Sequence, residues 1–231
     1  MDARAQRAMH LAPDPAAAAE GSARPPPLTS DLSRRAQEAA TASVALLLLA
    51  RFPAKAVPWA LSRLVRGQRA LGDVPGLRFA RVLGSGRGGG FGLMPGLDHQ
   101  GLIAFFDDEA GARAFAQDGP PLRAYRERAE ESLLALLRAT SSRGSWDRAA
   151  LAVSATAHAG APMAALTRAS IRLRHAARFW RHAPATHAGI AGAPGCRLAI
   201  GLGESPLLRQ ATFSLWDDAA AMDAYARSGA H

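Results

Sequence analysis

Apolar positions recur along the chain with two different periods, and they predict alternating strands and helices. Residues 44–52 form a short apolar run of strand length, and within 54–71 apolar side chains recur at helical spacing. Pro75 and Gly76 then break the chain, because proline lacks a backbone donor and glycine tolerates a positive φ. The rest of this first set consists of predicted strands at 77–83, 101–106 and 133–138 and predicted helices at 107–117 and 123–131, with 146–153 as a further closing segment.

A second set of elements follows the first in the same order. Its predicted segments are a strand at 164–171, a helix at 174–190, strands at 196–202 and 209–215, and a helix at 219–227. Landmark residues recur in both sets at offsets of 121, then 119, then 110 residues, namely Arg51 and Trp59 with Arg172 and Trp180, Pro75-Gly76 with Pro194-Gly195, and Asp107-Asp108 with Asp217-Asp218. Landmarks at nearly constant offset are typical of a duplicated structural unit.

The order of the elements predicts an α+β fold made of two ferredoxin-like units in tandem. The complete unit reads β-α-β-β-α-β, the split βαβ arrangement. We expect the first unit at 44–153, a linker at 154–163 and the second unit at 164–231. The second set has no counterpart of the first unit's last strand. We therefore expect a chain truncated at its C-terminus, with an incomplete second unit and an unpaired sheet edge.

Two local features add detail to this fold. Asp107 and Asp108 stand at the entrance of the helix predicted at 107–117, where an aspartate accepts hydrogen bonds from free backbone N–H groups. Trp59, Trp180 and Trp216 occupy repeat-equivalent or strand-end positions and are predicted to anchor the core.

The first 43 residues differ in composition from the rest of the chain. They are rich in Ala, Arg and Pro and contain little periodic apolar content, so they are predicted to form a disordered tail. No secretory signal is recognisable, and the apolar run at 44–50 is far shorter than the ~20 residues that span a bilayer. Cys196 is the single cysteine and cannot form an internal disulfide. A cytoplasmic protein is expected, with peripheral contact to the inner membrane left open.

The chain is strongly basic, with a formal net charge of +9 and a pI near 11.3. Such a balance favours phosphate-bearing partners. However, the arginines are spread through helices and tail without a dense block, which disfavours nucleic-acid binding and leaves attraction to anionic lipid headgroups open. A basic module for membrane surfaces or nucleic acids, without catalysis, remains one alternative.

Residues 84–89 satisfy the G-x-G-x-x-G spacing of dinucleotide-binding loops. The sequence that follows, from Phe91 to Pro95, does not read as a helix, whereas the dinucleotide site needs a helix N-terminus aimed at the pyrophosphate. A glycine-rich hairpin loop is the better interpretation. Walker loops, zinc cysteine pairs and His-His-carboxylate triads are not present in the sequence either.

Several segments, in the same order along the chain, resemble the spheroidene monooxygenase family. They are PGLRFARVLGSGRGGGF (75–91), SRGSW (142–146), AALTRASIR (164–172), FW (179–180), IGLGE (200–204), QATFSLW (210–216) and ARSGAH (226–231). The resemblance covers residue 44 to the end. It implies a duplicated ferredoxin-like fold of the dimeric α/β-barrel type, which agrees with the internal repeat.

The resemblance also implies a reaction and its partners. The family oxidises acyclic carotenoids such as spheroidene at a terminal carbon to give a ketone, with O₂ and electrons from a donor such as reduced ferredoxin, and it is regarded as haem-dependent. A redox cofactor is required on chemical grounds as well, because ordinary side chains do not activate O₂. The protein then has to provide an axial iron ligand and a dry, apolar pocket.

Histidines are the candidate ligands, and His231 is the predicted one. It occupies the place of Pro121 in the first unit, so it breaks the internal symmetry at the start of the second unit's last helix. Arg143 and Trp146 in the SRGSW segment are predicted to contact a haem propionate and line the pocket.

The other thiol and imidazole side chains are weaker candidates. Cys196 begins a predicted strand and is expected to be packing. His99 and His158 are expected in exposed connections. His175 and His182 are seven residues apart and so share a helix face, and Pro184 is expected to interrupt that helix before His187.

Two functional hypotheses from the family resemblance stay open besides the basic module. The first is a haem-dependent monooxygenase with an apolar channel between the two predicted sheets. The second is an inactive truncated homologue, or an α/β-barrel protein that binds a ligand without catalysis.

Overall fold

Seven β-strands and five α-helices make up a mixed α+β fold in the described part of the chain. The computed structural model describes residues 44–92, 94–143, 146–147, 151–153, 155–156, 158–205 and 208–228. The strands are β1 (Val44–Arg51), β2 (Leu77–Gly86), β3 (Pro95–Phe106), β4 (Glu131–Arg138), β5 (Met163–Ser170), β6 (Cys196–Ser205) and β7 (Arg209–Trp216). The helices are α1 (Val57–Arg66), α2 (Glu109–Asp118), α3 (Pro120–Arg128), α4 (Leu173–Ala191) and α5 (Ala219–Arg227). The tail predicted at 1–43 and His231 lie outside these residues.

All seven strands pair antiparallel in one sheet with the order β4-β1-β3-β2-β6-β7-β5. The order β1-β3-β2 in the first half recurs as β5-β7-β6 in the second half. The two halves join where β2 meets β6, with Gly84 opposite Gly203 and Ser85 opposite Leu202. The predicted α+β class is confirmed, and each predicted strand from 44 to 138 and from 164 to 215 is found.

The strands β2 and β3 are longer than predicted. β2 continues through Gly84 to Gly86, and β3 begins at Pro95 instead of 101, so a hairpin encloses the short 3₁₀ segment Arg87–Gly89. Glycine has a low intrinsic preference for strands, and here backbone pairing across the hairpin overrides it. The glycine-rich segment 84–89 therefore belongs to the end of a hairpin, as predicted.

The helix α4 corrects one prediction. Pro184 lies inside α4, which runs without a break from Leu173 to Ala191, so the predicted interruption before His187 is wrong. Trp180 and Ala183 are buried on the inner side of this helix, while Pro184 is exposed. Packing of the apolar side against the sheet maintains the helix despite the missing backbone donor.

Two further bounds differ from prediction. α3 begins at Pro120 instead of 123, because proline fits the first helical position, where its missing N–H has no intrahelical partner in any case. The segment 146–153 contains no strand among its described residues, and β4 is the last strand before the connection to β5.

The helix entrances follow the expected chemistry. The carboxylate of Asp108 accepts a hydrogen bond of 2.7 Å from the backbone N–H of Gly111 at α2. Asp218 accepts one of 2.8 Å from Ala221 at α5. The predicted aspartate cap is confirmed in α2, and the repeat-equivalent residue does the same at α5.

Both faces of the sheet are buried, which explains why β1 is apolar at consecutive positions. Leu46 and Leu48 point to a core shared with α1, α2 and α3, whereas Leu47 and Leu49 point to a second core on the opposite face. Trp180 and Trp216 are buried and Trp59 packs half-buried against the first core, so the predicted anchors are confirmed.

No helix in the described part of the chain is long and apolar enough to cross a bilayer.

Candidate functional site

A cavity of about 560 Å³ opens on the second face of the sheet, which we call the sheet-face cavity. Its apolar floor comes from β1, β3, β4, β5 and β7, and the connection between β4 and β5 also lines it. The apolar lining includes Ala45, Leu47, Ile103, Phe105, Leu137, Leu151, Leu166 and Phe213. Most of these side chains also belong to the second core, so the cavity is a gap in that core that reaches the surface.

The rim of the sheet-face cavity is polar. It carries four hydroxyl groups, one guanidinium and one imidazole. The residues are Thr140, Ser141, Ser142, Arg143, Thr156 and His158. Arg143 is exposed and forms no ion pair with a carboxylate in the described residues. An apolar floor with a few polar groups at one end is the usual constitution of a small-molecule site.

Trp146 belongs to this lining and is only 5% exposed. Its ring centroid is 5.7 Å from that of Phe79. Its Nε1 atom is buried and has no hydrogen-bond partner. The structure thus brings Arg143 and Trp146, the two described residues predicted for the site, to the same cavity.

Arg168 packs on the indole ring of Trp146. The Arg168 guanidinium lies 5.3 Å from the Trp146 ring centroid, a cation–π distance. Arg168 Nε donates a hydrogen bond of 2.9 Å to Glu204 Oε1, and the side chains of Arg168 and Glu204 are only 23% and 10% exposed. The sequence reasoning missed this pair. Both residues stand in segments that carry the family resemblance, but no spacing pattern indicates that they meet.

Asp147, the next residue along the chain, is held by Arg81. The Arg81 guanidinium donates to the Asp147 carboxylate and also lies 4.7 Å from the ring centroid of Phe79. This hydrogen bond, aided by the nearby positive charges, holds the pKa of Asp147 below its usual range. Asp147 has a φ of 49°, in the left-handed region, which aspartate tolerates better than most residues. The ion pair thus secures the turn that carries Trp146.

The remaining histidines lie away from this cavity or outside the described residues. His175 and His182 share one face of α4, as predicted, and line an open groove of about 430 Å³ together with Phe91 and Phe179. His187 is half-buried on α4, and burial lowers its pKa. His231, the predicted iron ligand, lies outside the described residues.

Three candidates can be compared directly with the sequence predictions. His158 lies in a connection and is exposed, as expected, but it lines the cavity rim. The expected loop position of His99 is wrong: it lies on β3, half-buried, with Nδ1 3.0 Å from Asp98 Oδ1, because pairing extends that strand. Cys196 is half-buried and burial raises the pKa of its thiol, which suits packing better than ligation. No group of three or more His, Cys, Asp or Glu side chains in the described residues is arranged to hold a metal ion.

The fold and the cavity define an α+β protein with an apolar cavity between a buried sheet face and the connection from β4 to β5. No protein-family model matches the chain. Curated proteins named spheroidene monooxygenase match the chain. That of Rubrivivax gelatinosus is 48% identical over 92% of this chain and 84% of its own length, and that of Rhodobacter capsulatus is 36% identical over 80% and 78%. That of Cereibacter sphaeroides is 34% identical over 73% and 52%. This chain therefore belongs to the spheroidene monooxygenase family and is an oxygenase enzyme.

Solved structures resemble the chain only weakly. SnoaB, a cofactor-independent oxygenase from Streptomyces nogalater, is 19% identical over 43% of this chain and 94% of its own, with a TM-score of 0.31. An anthrone oxidase-like protein is 12% identical over 82% and 78%, with a TM-score of 0.33. Likeness at these scores carries no argument about this chain.

Proposed function

We propose that this enzyme is a haem-dependent monooxygenase that oxygenates an acyclic carotenoid such as spheroidene at a terminal carbon, giving a keto-carotenoid. The sheet-face cavity, with its apolar floor and its polar rim, is the observation that carries the proposal. The relatives named for spheroidene supply the substrate class.

The cavity suits one end of a polyene. Its volume of about 560 Å³ lies within the range of small-molecule sites, roughly 300–1,000 Å³. A long polyene would leave most of its length outside while its end lies among Leu47, Ile103 and Phe105. Burial of that end against apolar side chains stabilises the complex by roughly 25 cal/mol per Å². The terminal carbon would then be the part of the substrate furthest from water.

The reaction needs O₂ and two electrons for each oxygen atom inserted. One oxygen atom enters a C–H bond and gives a hydroxyl group, and the other leaves as water after taking up two electrons and two protons. A second insertion at the same carbon gives a geminal diol, which loses water to form the ketone. A reduced ferredoxin or a similar one-electron carrier is the proposed electron donor.

The residues around the cavity fit a haem group. Haem requires apolar surface, cations for its propionates and an axial ligand. The sheet face provides the apolar surface, and Arg143, which is exposed and has no carboxylate partner among the described residues, provides the cation. The imidazole of His158 at the rim is one candidate for the axial ligand. His231 remains the predicted ligand. With haem bound, the iron supplies the O₂ activation that side chains lack, while the sheet face excludes water and orients the substrate end.

We also propose that the two halves of the sheet are copies of one ferredoxin-like unit, arranged like a dimeric α/β barrel. The recurrence of β1-β3-β2 as β5-β7-β6 supports this, as do the equivalent caps Asp108 and Asp218. The matching pairs Val44 with Phe106 and Met163 with Trp216 support it further.

The exposed side of α4 is a proposed contact surface for anionic membranes, where an apolar polyene resides. Between Asp147 and Glu204 the sequence contains no Asp or Glu. Arg174, Arg178 and Arg181 are exposed at i, i+4 and i+7, and none pairs with a carboxylate in the described residues. Near an anionic leaflet such residues contribute about 1 kcal/mol each.

Vesicle sedimentation tests this contact. Arg174→Gln/Arg178→Gln/Arg181→Gln should reduce binding to phosphatidylglycerol vesicles and leave phosphatidylcholine binding unchanged. The control triple Arg66→Gln/Arg69→Gln/Arg123→Gln removes the same charge from exposed sites on other segments. If both triple variants lose the same amount of binding to phosphatidylglycerol vesicles, the net charge of the protein explains the effect and the proposed contact surface on α4 is refuted.

The visible spectrum and turnover of the full chain test the main proposal. Protein reconstituted with haem should show a Soret band, and with O₂ and reduced ferredoxin it should convert spheroidene to an oxygenated product. The spectra of His231→Ala and His158→Ala should be compared. Only the variant that removes the axial iron ligand should weaken or shift the Soret band. Binding of spheroidene without any turnover would favour the alternative of a non-catalytic binding protein.

A further inference from the structure

The charged side chains that line the sheet-face cavity are arginines. Among the described residues the lining includes Arg138, Arg143 and Arg168 and contains no Asp or Glu. Arg138 already has a partner, because its Nε donates a hydrogen bond of 2.9 Å to Glu109 of α2, which does not belong to the lining. Arg143 and Arg168 are therefore the cations that remain for a ligand, and a cavity lined in this way favours an anionic group.

Arg168 lies on the apolar, inner face of β5. Alternate residues of a strand share a face, and Leu166, two positions earlier, packs against the second core. The backbone partner of Arg168 on β7 is Ala211, which is buried in the same core. Desolvation makes a shielded ion pair costly, and apolar residues in its place are often neutral or stabilising. Stability alone therefore gives no reason for an arginine at this position.

The carboxylate beside Arg168 is shared between two arginines. Arg168 Nε donates a hydrogen bond of 2.9 Å to Glu204 Oε1, and Arg209 Nη1 lies 3.8 Å from Glu204 Oε2. The neighbouring Asp147 is bonded to Arg81, so it does not balance the second charge. One positive charge is thus in surplus at this wall of the cavity.

The terminal nitrogens of Arg168 are available to a ligand. Its hydrogen bond to Glu204 uses Nε, and in the described part of the chain Nη1 and Nη2 donate to no other group. The side chain is 23% exposed and lines the cavity. A guanidinium with free terminal N–H groups binds a carboxylate through charge-assisted hydrogen bonds.

Arg143 supplies a second positive charge to the same cavity. It is exposed at the rim and has no carboxylate partner among the described residues. The apolar cavity therefore has two positive charges in surplus, one from Arg143 and one from the group of Arg168, Glu204 and Arg209. A haem group has the complementary constitution, since its apolar ring carries two propionates on one edge.

We propose that Arg168 binds one haem propionate through Nη1 and Nη2 while Arg143 binds the other, so that the sheet-face cavity recognises a porphyrin by its two carboxylates. The inference rests on the proposed function. Arg168 is then a cofactor-binding residue, and Glu204 is a positioning residue, because its hydrogen bond to Nε holds the guanidinium and leaves the terminal nitrogens free.

Fluorescence titration of the full chain with iron-free protoporphyrin IX and with its dimethyl ester tests the proposal. Neither compound needs an axial ligand, and only the diacid carries carboxylates. We expect wild type to prefer the diacid about tenfold or more. Arg168→Gln/Glu204→Gln keeps the net charge and leaves no shielded carboxylate unpaired. It should raise the dissociation constant of the diacid about tenfold or more, the range of one charge-assisted hydrogen bond, and leave that of the diester nearly unchanged.

Arg138→Gln is the matched control. Arg138 also lines the cavity, and its replacement lowers the net charge by one, but its guanidinium is bonded to Glu109. The preference for the diacid should therefore stay nearly as in wild type. An equal loss of preference in Arg138→Gln and in the double variant would assign the effect to the general field and refute the contact with Arg168.

Other outcomes separate the inference from the function on which it rests. If wild type binds the diacid and the diester equally, or if the double variant weakens both by the same factor, the contact with a propionate is refuted while haem binding stands. If wild type retains neither the porphyrins nor haem, the proposed haem dependence fails and the inference fails with it. Thermal unfolding of each variant checks that it is folded.

Discussion

Ser85 Oγ donates a hydrogen bond of 2.5 Å to the backbone carbonyl of Gly201, across the junction where β2 meets β6. Ser85 is buried, and the backbone register of this junction comprises two residue pairs. A side-chain hydrogen bond therefore reinforces the place where the two halves of the sheet join.

Replacing Ser85 by Ala should lower the free energy of unfolding by about 1 kcal/mol, the net value of one such hydrogen bond. The effect is measured by denaturant unfolding. Ser132→Ala, at an exposed position on β4, serves as control and should change stability by much less. Equal effects of the two substitutions would contradict a role for the junction bond.

Gly201 should not tolerate a side chain. A Cβ there would lie 2.7 Å from a ring atom of Phe91 and 2.8 Å from the carbonyl oxygen of Gly90. Because one of these atoms is backbone, the hairpin end would have to move, and Gly201→Ala should cost roughly 1–3 kcal/mol.

Gly203 on the same strand provides the control for that substitution. The three atoms nearest to a Cβ at Gly203 all belong to the side chain of Gln210, at 3.1 to 3.6 Å, and none is a backbone atom. Gly203→Ala should therefore cost less than Gly201→Ala in the same unfolding measurement. A greater loss at Gly203 than at Gly201 would contradict the close approach of the hairpin end to β6.

The ion pair of Arg81 and Asp147 should make stability depend on acid. The pKa of Asp147 is depressed in the folded state, so its contribution is fully present above its ordinary value, about 3.9, and is lost as pH falls through the folded value. Wild type should exceed Asp147→Asn in unfolding free energy near neutral pH, and the gap should close as pH falls below about 4. A gap independent of pH would show that the carboxylate charge contributes nothing.

Pro184→Ala should stabilise the protein. Proline in a helix interior costs up to about 3 kcal/mol relative to alanine, and Pro184 is exposed, so the new side chain has no packing to disturb. The melting temperature measures the gain. Pro120→Ala is the matched control, because Pro120 starts α3, where proline is well accommodated and no gain is expected.

Glu204→Gln should weaken the site through Arg168. Glu204 is largely shielded, so removing its charge deprives the guanidinium beside Trp146 of its hydrogen-bonded carboxylate and should cost about 1 kcal/mol or more in stability. The affinity for polyenes should fall as well, since an unbalanced charge borders an apolar cavity. Glu127→Gln, at an exposed pair with Arg128, is the control and should have little effect on either measurement.

Local sequence signals identified most of the elements. The helix predicted at 219–227 has those bounds in the structure, and Asp108 caps α2 as expected, because caps and helical periodicity depend on neighbouring residues. The prediction failed at Pro184 and at the ends of β2 and β3. At those positions packing on the sheet or pairing across a hairpin opposes the local preference, and the long-range contacts prevail.

The sequence by itself determined the α+β class, the order of the elements and the recurrence of landmark residues, and it predicted Arg143 and Trp146 as site residues. Only the tertiary structure decided that Trp146 meets Arg168 and Glu204 beside a cavity, and that its N–H lacks a partner while that of Trp216 has one. Periodicity reports which face of an element is buried. The partners that a buried face meets are set by how strands distant in sequence pair and pack.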